Sequence, residues 1–104
     1  MAWTWLFLAA AFEICWALAM KSSLGFTRPW PTLAFVLCAA ASLGFLGLAA
    51  RHLPIGLAYA VWTGIGACGV TLIAAVVHGE SLSALQLGCI GLILIGVIGL
   101  KLGS

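Results

Sequence analysis

The sequence has too few charged side chains to make a water-facing surface. Its 104 residues include four Lys or Arg and two Asp or Glu, so only 6% of the chain is charged. A soluble domain carries roughly a quarter of its residues as charged side chains. A soluble globular fold is therefore excluded. Because 65% of the residues are hydrophobic, most of the outer surface must face a lipid bilayer.

The cysteines and histidines do not form a metal-binding pattern. The four cysteines, at positions 15, 38, 68 and 89, include no Cys-x-x-Cys pair, and no histidine is close to them in sequence. Structural zinc sites need such spacings, so we expect the cysteines to be small apolar packing residues. We expect no metal, no cofactor and no nucleic-acid partner. No nucleophile with a neighbouring base is visible, so the sequence does not indicate an enzyme.

Four apolar segments are long enough to cross a bilayer. Hydropathy and helix-breaking residues predict helices over about residues 3–20, 32–50, 55–77 and 84–100. The connections between them are short and leave no linker or second domain. Residues 1–104 are therefore expected to form a single all-α transmembrane domain of four helices. The first segment is expected to be retained, because no Lys or Arg precedes it as in a signal peptide.

Glu13 is an acidic residue within an otherwise apolar segment, and its position needs a physical explanation. It lies near the middle of the first apolar segment and is the only acid within a predicted span. An ionised side chain at that depth costs about 3 to more than 10 kcal/mol, depending on the reference state. Glu13 is therefore expected to face protein or water, and not lipid.

Polar and aromatic side chains near mid-span are candidates to surround the carboxylate. Trp16 lies one turn after Glu13, Tyr59 and Trp62 share one face of the third helix, and Ser42 is near the middle of the second. We expect them to shape the pocket and to orient Glu13. Two alternatives remain open. The aromatic residues could belong to an interfacial belt, and the Ser42 hydroxyl could bond the carbonyl four residues before it.

Glycines mark two further positions. Gly64 and Gly66 weaken the third helix by about 1 kcal/mol each relative to alanine, which suggests a hinge, although close packing against a neighbour would explain them equally well. The fourth helix has a small-residue face within roughly 140° of arc, at 100° per residue. That face predicts a dimer seam, with lipid-facing or intramonomer packing as the alternative. Its members are Gly88, Gly91, Gly96 and Gly99.

The basic residues are balanced across the membrane. In a four-span chain, Lys21 and Arg28 lie on one side, and Arg51 and Lys101 lie on the other. Orientation follows the excess of Lys and Arg on the cytoplasmic side, so this chain has no preferred orientation. It is expected to insert both ways, and association into a dimer is expected because one small bundle can hardly enclose a solvated carboxylate.

The whole chain resembles the small multidrug resistance family. The resemblance rests on the four-span length, on Glu13, on Gly25-Phe26-Thr27-Arg28, on Leu53-Pro54-Ile55-Gly56 and on the glycines of the fourth helix. The guanidinium exporter subtype is similar at Glu13-Ile14-Cys15-Trp16-Ala17, Trp62-Thr63-Gly64-Ile65-Gly66 and Gly96-Val97-Ile98-Gly99-Leu100-Lys101. Trp16 is the best discriminator, since exporters of quaternary ammonium ions usually have a small residue there. The chain departs from the subtype at Ala10, where glycine is common, so Ala10 is expected to alter the pocket.

The resemblance implies an antiparallel, dual-topology homodimer in the bacterial inner membrane. Its two central glutamates would exchange protons for guanidinium, or for small substituted guanidinyl cations, by alternating access. A promiscuous quaternary ammonium exporter is the first alternative, and it would need a wider and more apolar pocket. A non-transporting membrane accessory subunit is the second, and it would need no exchangeable carboxylate.

Overall fold

The protein consists of four helices connected by short loops. The computed structural model describes residues 2–103, and no strand occurs in that range. Each helix is 19 to 23 residues long and apolar enough to cross a membrane. At 1.5 Å per residue these lengths are close to the ~30 Å hydrocarbon layer. The helices are α1 (Ala2–Ser22), α2 (Pro29–Ala50), α3 (Ile55–Val77) and α4 (Ala84–Leu102).

The helix ends differ from the sequence prediction in three helices. α2 begins at Pro29 rather than near residue 32, because proline needs no amide partner in the first helical turn. The preceding Arg28 is extended (φ −99°, ψ 123°), as a residue before proline must be. α1 continues to Ser22 and α4 to Leu102, since no residue before those positions breaks the helix. α3 has the predicted bounds.

The connection between α1 and α2 is built on left-handed backbone. Leu24, Gly25 and Phe26 have φ angles of 50°, 73° and 66°. The left-handed region costs a residue with a Cβ roughly 1 to 2 kcal/mol, so Leu24 and Phe26 must be held there by their surroundings. Ser23 is fully buried and supplies that hold. Its hydroxyl donates to the Met20 carbonyl at 2.6 Å and accepts the Phe26 amide at 2.9 Å.

The connection between α3 and α4 combines a glycine turn with a helix cap. Gly79 has a φ of 67°, which lets the chain leave α3 at low cost. Ser83 and Gln86 then form a capping box at the start of α4, in which each side chain bonds the other residue's amide. Lys21 at the end of α1 pairs with Glu80 in this connection. The first and third connections therefore meet at the same end of the bundle.

The packing leaves a flat protomer with α4 at one edge. α1 packs against both α2 and α3, whereas α4 packs mainly against α3. The principal extents are 41, 34 and 16 Å. In α4 only Ile90 is buried, and most of its large apolar side chains are exposed. The buried core lies between α1, α2 and α3 and includes Leu6, Ala9, Ala10, Leu46, Ala49, Ala58, Val61 and Trp62.

Candidate functional site

A cavity of about 400 Å³ lies between α1 and α3 and is open at the surface of the protomer. Glu13 and Trp16 line it. The sequence predicts both residues for the substrate pocket, and that function stays a prediction. No group of three or more His, Cys, Asp or Glu side chains within residues 2–103 is arranged to hold a metal ion. The complete lining is Glu13, Trp16, Ala17, Met20, Thr63, Gly66, Ala67, Val70 and Thr71.

Within residues 2–103, two buried polar atoms at this cavity have no hydrogen-bond partner. They are Oε1 of Glu13 and the indole Nε1 of Trp16. Buried polar atoms are nearly always paired in folded proteins, and leaving one unpaired costs about 1 to 3 kcal/mol. One is a carboxyl oxygen, which accepts hydrogen bonds, and the other is an indole N–H, which donates them. Together they place one unpaired acceptor and one unpaired donor at the cavity.

The absence of a side chain at Gly66 gives the Glu13 carboxyl group its place. A Cβ built on Gly66 would overlap the carboxyl oxygen and carbon of Glu13. At Gly69, a Cβ would likewise collide with the Ile14 side chain. These two glycines let α3 approach α1 closely enough for the carboxylate to lie against the helix backbone. Close packing against a neighbouring helix, which was one of the two explanations for this glycine, is present at Gly66.

Gly64 allows the same kind of approach on the other side of α3. A Cβ there would lie 2.8 Å from Cγ2 of Val97 and 3.4 Å from Cγ2 of Ile93, both in α4. α3 nevertheless runs as one unbroken helix from Ile55 to Val77. Packing accounts for both Gly64 and Gly66 in this conformation, and their function as a hinge stays a prediction.

Ser42 and Trp62 bond the backbone of α1 instead of the Glu13 carboxylate. The Ser42 hydroxyl donates to the Ala9 carbonyl at 2.7 Å, so it does not bond its own helix. The Trp62 indole N–H lies 3.0 Å from the Ser42 hydroxyl oxygen and 3.3 Å from the Ala9 carbonyl oxygen. In an α-helix, the Ala9 carbonyl also accepts the amide of Glu13. In the protomer these groups therefore anchor the turn that carries Glu13, and orient its carboxylate only indirectly.

Tyr59 and Ala10 do not line the cavity of the protomer. Tyr59 is half exposed, and its ring lies 5.5 Å from that of Trp62. Ala10 is fully buried in the core between the first three helices. Its methyl group thus fills packing space behind the site, and the expectation that it shapes the pocket directly does not hold within one protomer.

The glycines of the predicted seam have open space around them. A Cβ at Gly88, Gly91, Gly96 or Gly99 would meet no atom within 4 Å. Packing within the described chain therefore does not require glycine at these positions, which removes the intramonomer alternative. A partner or lipid on this face remains, and the dimer seam stays a prediction.

Sequence reasoning missed several lining residues, although the sequence contains a signal for them. Ala17 and Met20 follow Glu13 at i+4 and i+7, the spacing of one helical face. On α3 the same rule applied to Gly66 finds Thr63 and Val70, three and four positions away. Ala67 and Thr71, one and five positions from Gly66, lie next to this face and also line the cavity. What the sequence could not supply is that Gly66, rather than Tyr59, faces Glu13.

The chain is similar in sequence to known proteins over its whole length. The family model of the Small Multidrug Resistance protein matches residues 1–95. A guanidinium exporter of Yersinia pestis is 47% identical over 104 residues, which is 100% of both chains. A guanidinium exporter of Proteus vulgaris is 43% identical over the same length, again 100% of both chains. One from Salmonella typhimurium is 43% identical over 100% of this chain and 99% of its own.

Proposed function

Because the chain belongs to the small multidrug resistance family, we propose that it exports guanidinium in exchange for protons at Glu13. It is a multi-pass protein of the bacterial inner membrane, with four membrane-spanning helices. The observation that carries the proposal is the buried Glu13 Oε1, which has no hydrogen-bond partner among the described residues and lies in a cavity beside Trp16. The guanidinium exporters to which the chain is similar support the choice of substrate.

Guanidinium fits this pair of residues chemically. It is a flat cation with N–H donors around its rim, and a carboxylate accepts two of them in parallel. Glu13 supplies that acceptor pair. The Trp16 indole bounds the cavity beside it and offers an aromatic face, on which a flat cation gains about 0.5 to 2 kcal/mol. A tetraalkylammonium ion has the charge but no donors, so it leaves the carboxylate acceptors unpaired.

Proton coupling follows from competition for one group. A protonated Glu13 has no negative charge and cannot hold the cation, and a cation on the carboxylate excludes the proton. Each binding event therefore displaces the other species, and movement of the site between the two sides of the membrane exchanges them. Export results when protons are more concentrated outside.

An antiparallel homodimer would complete the site. The protomer is only 16 Å thick, its cavity is open at its surface, and the glycine face of α4 is bare. A second copy closes the cavity and brings a second Glu13 near the first. The balance of two basic residues on each side supports insertion in both orientations. When two antiparallel copies differ in conformation, exchanging their conformations reverses the side that the site faces, so the inward-facing and outward-facing forms are one structure turned over.

The substrate assignment predicts a strong preference for flat cations. We expect kcat/KM for tetraethylammonium to be at least about tenfold below that for guanidinium, as measured from currents of reconstituted protein on a solid-supported membrane. The reason is that tetraethylammonium has no N–H donors and leaves the acceptors of the carboxylate unpaired. A guanidinium with one small substituent on one nitrogen should be tolerated. Equal or larger tetraethylammonium currents in the unmutated protein would reassign the chain to the quaternary ammonium exporters. No current with any of these cations would favour an accessory subunit.

The orientation predicted from the charge balance is tested separately. Topology reporters fused after residue 104 should give signal for both compartments. Adding one lysine to the first connection, for example by Leu24→Lys, should shift the ratio towards the orientation that places this connection in the cytoplasm. As a control, Leu24→Gln changes the same exposed side chain without charge and should leave the ratio unchanged. An active protein found in one orientation only would refute the antiparallel homodimer.

A further inference from the structure

The Trp16 ring forms one wall of the cavity, the Trp16 wall. An aromatic residue that does not itself line the cavity packs against this ring. Phe35 of α2 meets the Trp16 ring edge-on, with a centroid distance of 5.7 Å and an interplanar angle of 84°. This geometry places the positive edge of one ring against the negative face of the other, which aromatic pairs prefer. In the part of the chain that the structure describes, no hydrogen bond holds the Trp16 indole N–H. Ring contacts such as this one therefore determine the position of the Trp16 ring.

Phe35 in turn packs against a residue of the connection between α1 and α2, at the end of the bundle. Its ring lies 5.0 Å from that of Phe26, with an interplanar angle of 58°. Phe26 belongs to the left-handed stretch of the first connection and has a φ of 66°. Buried Ser23 binds the Phe26 amide through its hydroxyl, and its carbonyl accepts the Thr27 amide at 2.9 Å. A continuous row of three rings thus leads from a fixed loop through α2 to the cavity.

A second aromatic cluster between α1 and α2 provides a comparison, because it also contains a phenylalanine of α2. Phe45 is partly buried, as Phe35 is, and its ring stacks at 5.4 Å on Trp5 and at 5.6 Å on Phe12. None of these three side chains lines the cavity. If aromatic contacts served only to pack α1 against α2, the two clusters would be equivalent. They differ in that only the Phe35 row ends on the wall of the site.

We propose that Phe35, which packs against Phe26, is a positioning residue. It sets cation selectivity by holding the Trp16 ring in one position. The inference rests on the proposed function, since it assumes that the Trp16 wall contacts the cation. Without the Phe35 ring, the indole has room to swing towards α2. The wall then no longer matches a flat ion, and bulkier cations are admitted.

The test compares Phe35→Leu with the matched control Phe45→Leu. Guanidinium currents give KM, and competition by tetraethylammonium gives its inhibition constant. In Phe35→Leu, the ratio of inhibition constant to KM should fall about two- to tenfold, the range that loss of one aromatic edge contact implies. In Phe45→Leu the ratio should stay at the wild-type value. Phe35→Tyr keeps the ring and should keep the ratio.

A double-mutant cycle identifies the residue through which Phe35 acts. In a Trp16→Gly background, Phe35→Leu should leave the ratio unchanged, because the wall that it positions is gone. A full additive effect there would overturn the proposal. So would equal ratios in Phe35→Leu and Phe45→Leu. If Phe35→Leu does not fold, Phe26→Leu tests the same row: a lower ratio supports the proposal, and an unchanged ratio overturns it.

The same measurements separate this inference from the proposed function. Absence of guanidinium current in the unmutated protein refutes guanidinium export. Guanidinium current in the unmutated protein, together with a wild-type selectivity ratio in Phe35→Leu, refutes only the positioning function of Phe35.

Discussion

Glu13→Gln should abolish proton-coupled guanidinium uptake into liposomes while the protein still folds and dimerises. The amide has nearly the shape of the carboxyl group but neither binds a proton at neutral pH nor carries charge for the cation. Removing a charge from mid-membrane does not weaken the helix, since ionised side chains are costly there. Uptake is measured with a proton gradient, and folding by size-exclusion chromatography. Coupled uptake at the wild-type rate would exclude Glu13 as the exchange site.

Glu80→Gln is the matched control, because Glu80 is the other acid of the chain. It lies in the connection before α4 and pairs with Lys21 at the surface. The hydrogen bond from Lys21, together with its charge, lowers the pKa of Glu80. The carboxylate thus stays ionised in mildly acidic buffer, and the pair contributes stability that is lost only as the pH falls through this lowered pKa. Between pH 6 and 8 the control should transport like the unmutated protein.

The pH dependence of substrate affinity provides a second readout of the same group. In the unmutated protein, the apparent KM for guanidinium should rise as the pH falls, by at most about tenfold per pH unit for one competing proton per site. The rise reflects competition and should therefore be overcome by more guanidinium. A KM that does not change with pH would argue against a shared site.

Gly66→Ala should reduce transport at least about tenfold, because its methyl group must occupy the place of the Glu13 carboxyl group. Either the carboxylate or α3 has to move. Alanine favours a helix over glycine by about 1 kcal/mol, so the loss is not expected to come from an unfolded helix. Guanidinium currents measure the loss, and thermal unfolding in detergent measures stability.

Gly56→Ala is the control within the same helix. A Cβ at Gly56 meets nothing within 4 Å, so the substitution should leave both transport and stability nearly unchanged. If Gly66→Ala transports at the wild-type rate, the close approach of α3 to Glu13 is not needed for function. Equal losses in the two variants would indicate a general sensitivity of α3, and would also contradict the specific clash.

The features that depend on local properties of the chain were predictable. A run of apolar residues long enough for a bilayer predicts a helix whatever its neighbours are, and all four helices are present. The cost of a charge in lipid rises with its depth, which is why the sequence predicts Glu13 as the central residue of the site. Trp16 followed from its position one helical turn away, and it does line the cavity with Glu13.

The partners of these residues depended on how the helices are rotated about one another, which periodicity alone does not determine. Ser42 and Trp62 have the donors that the sequence predicts, but these donors bond the Ala9 carbonyl. The face of α3 that meets Glu13 is set by Gly66, because a helix backbone can approach a carboxyl group only where no Cβ intervenes. The sequence by itself determined the four spans and the buried acid, since hydrophobicity and charge belong to each residue. The tertiary structure decided which groups surround the acid, because steric fit between two helices is a property of the pair.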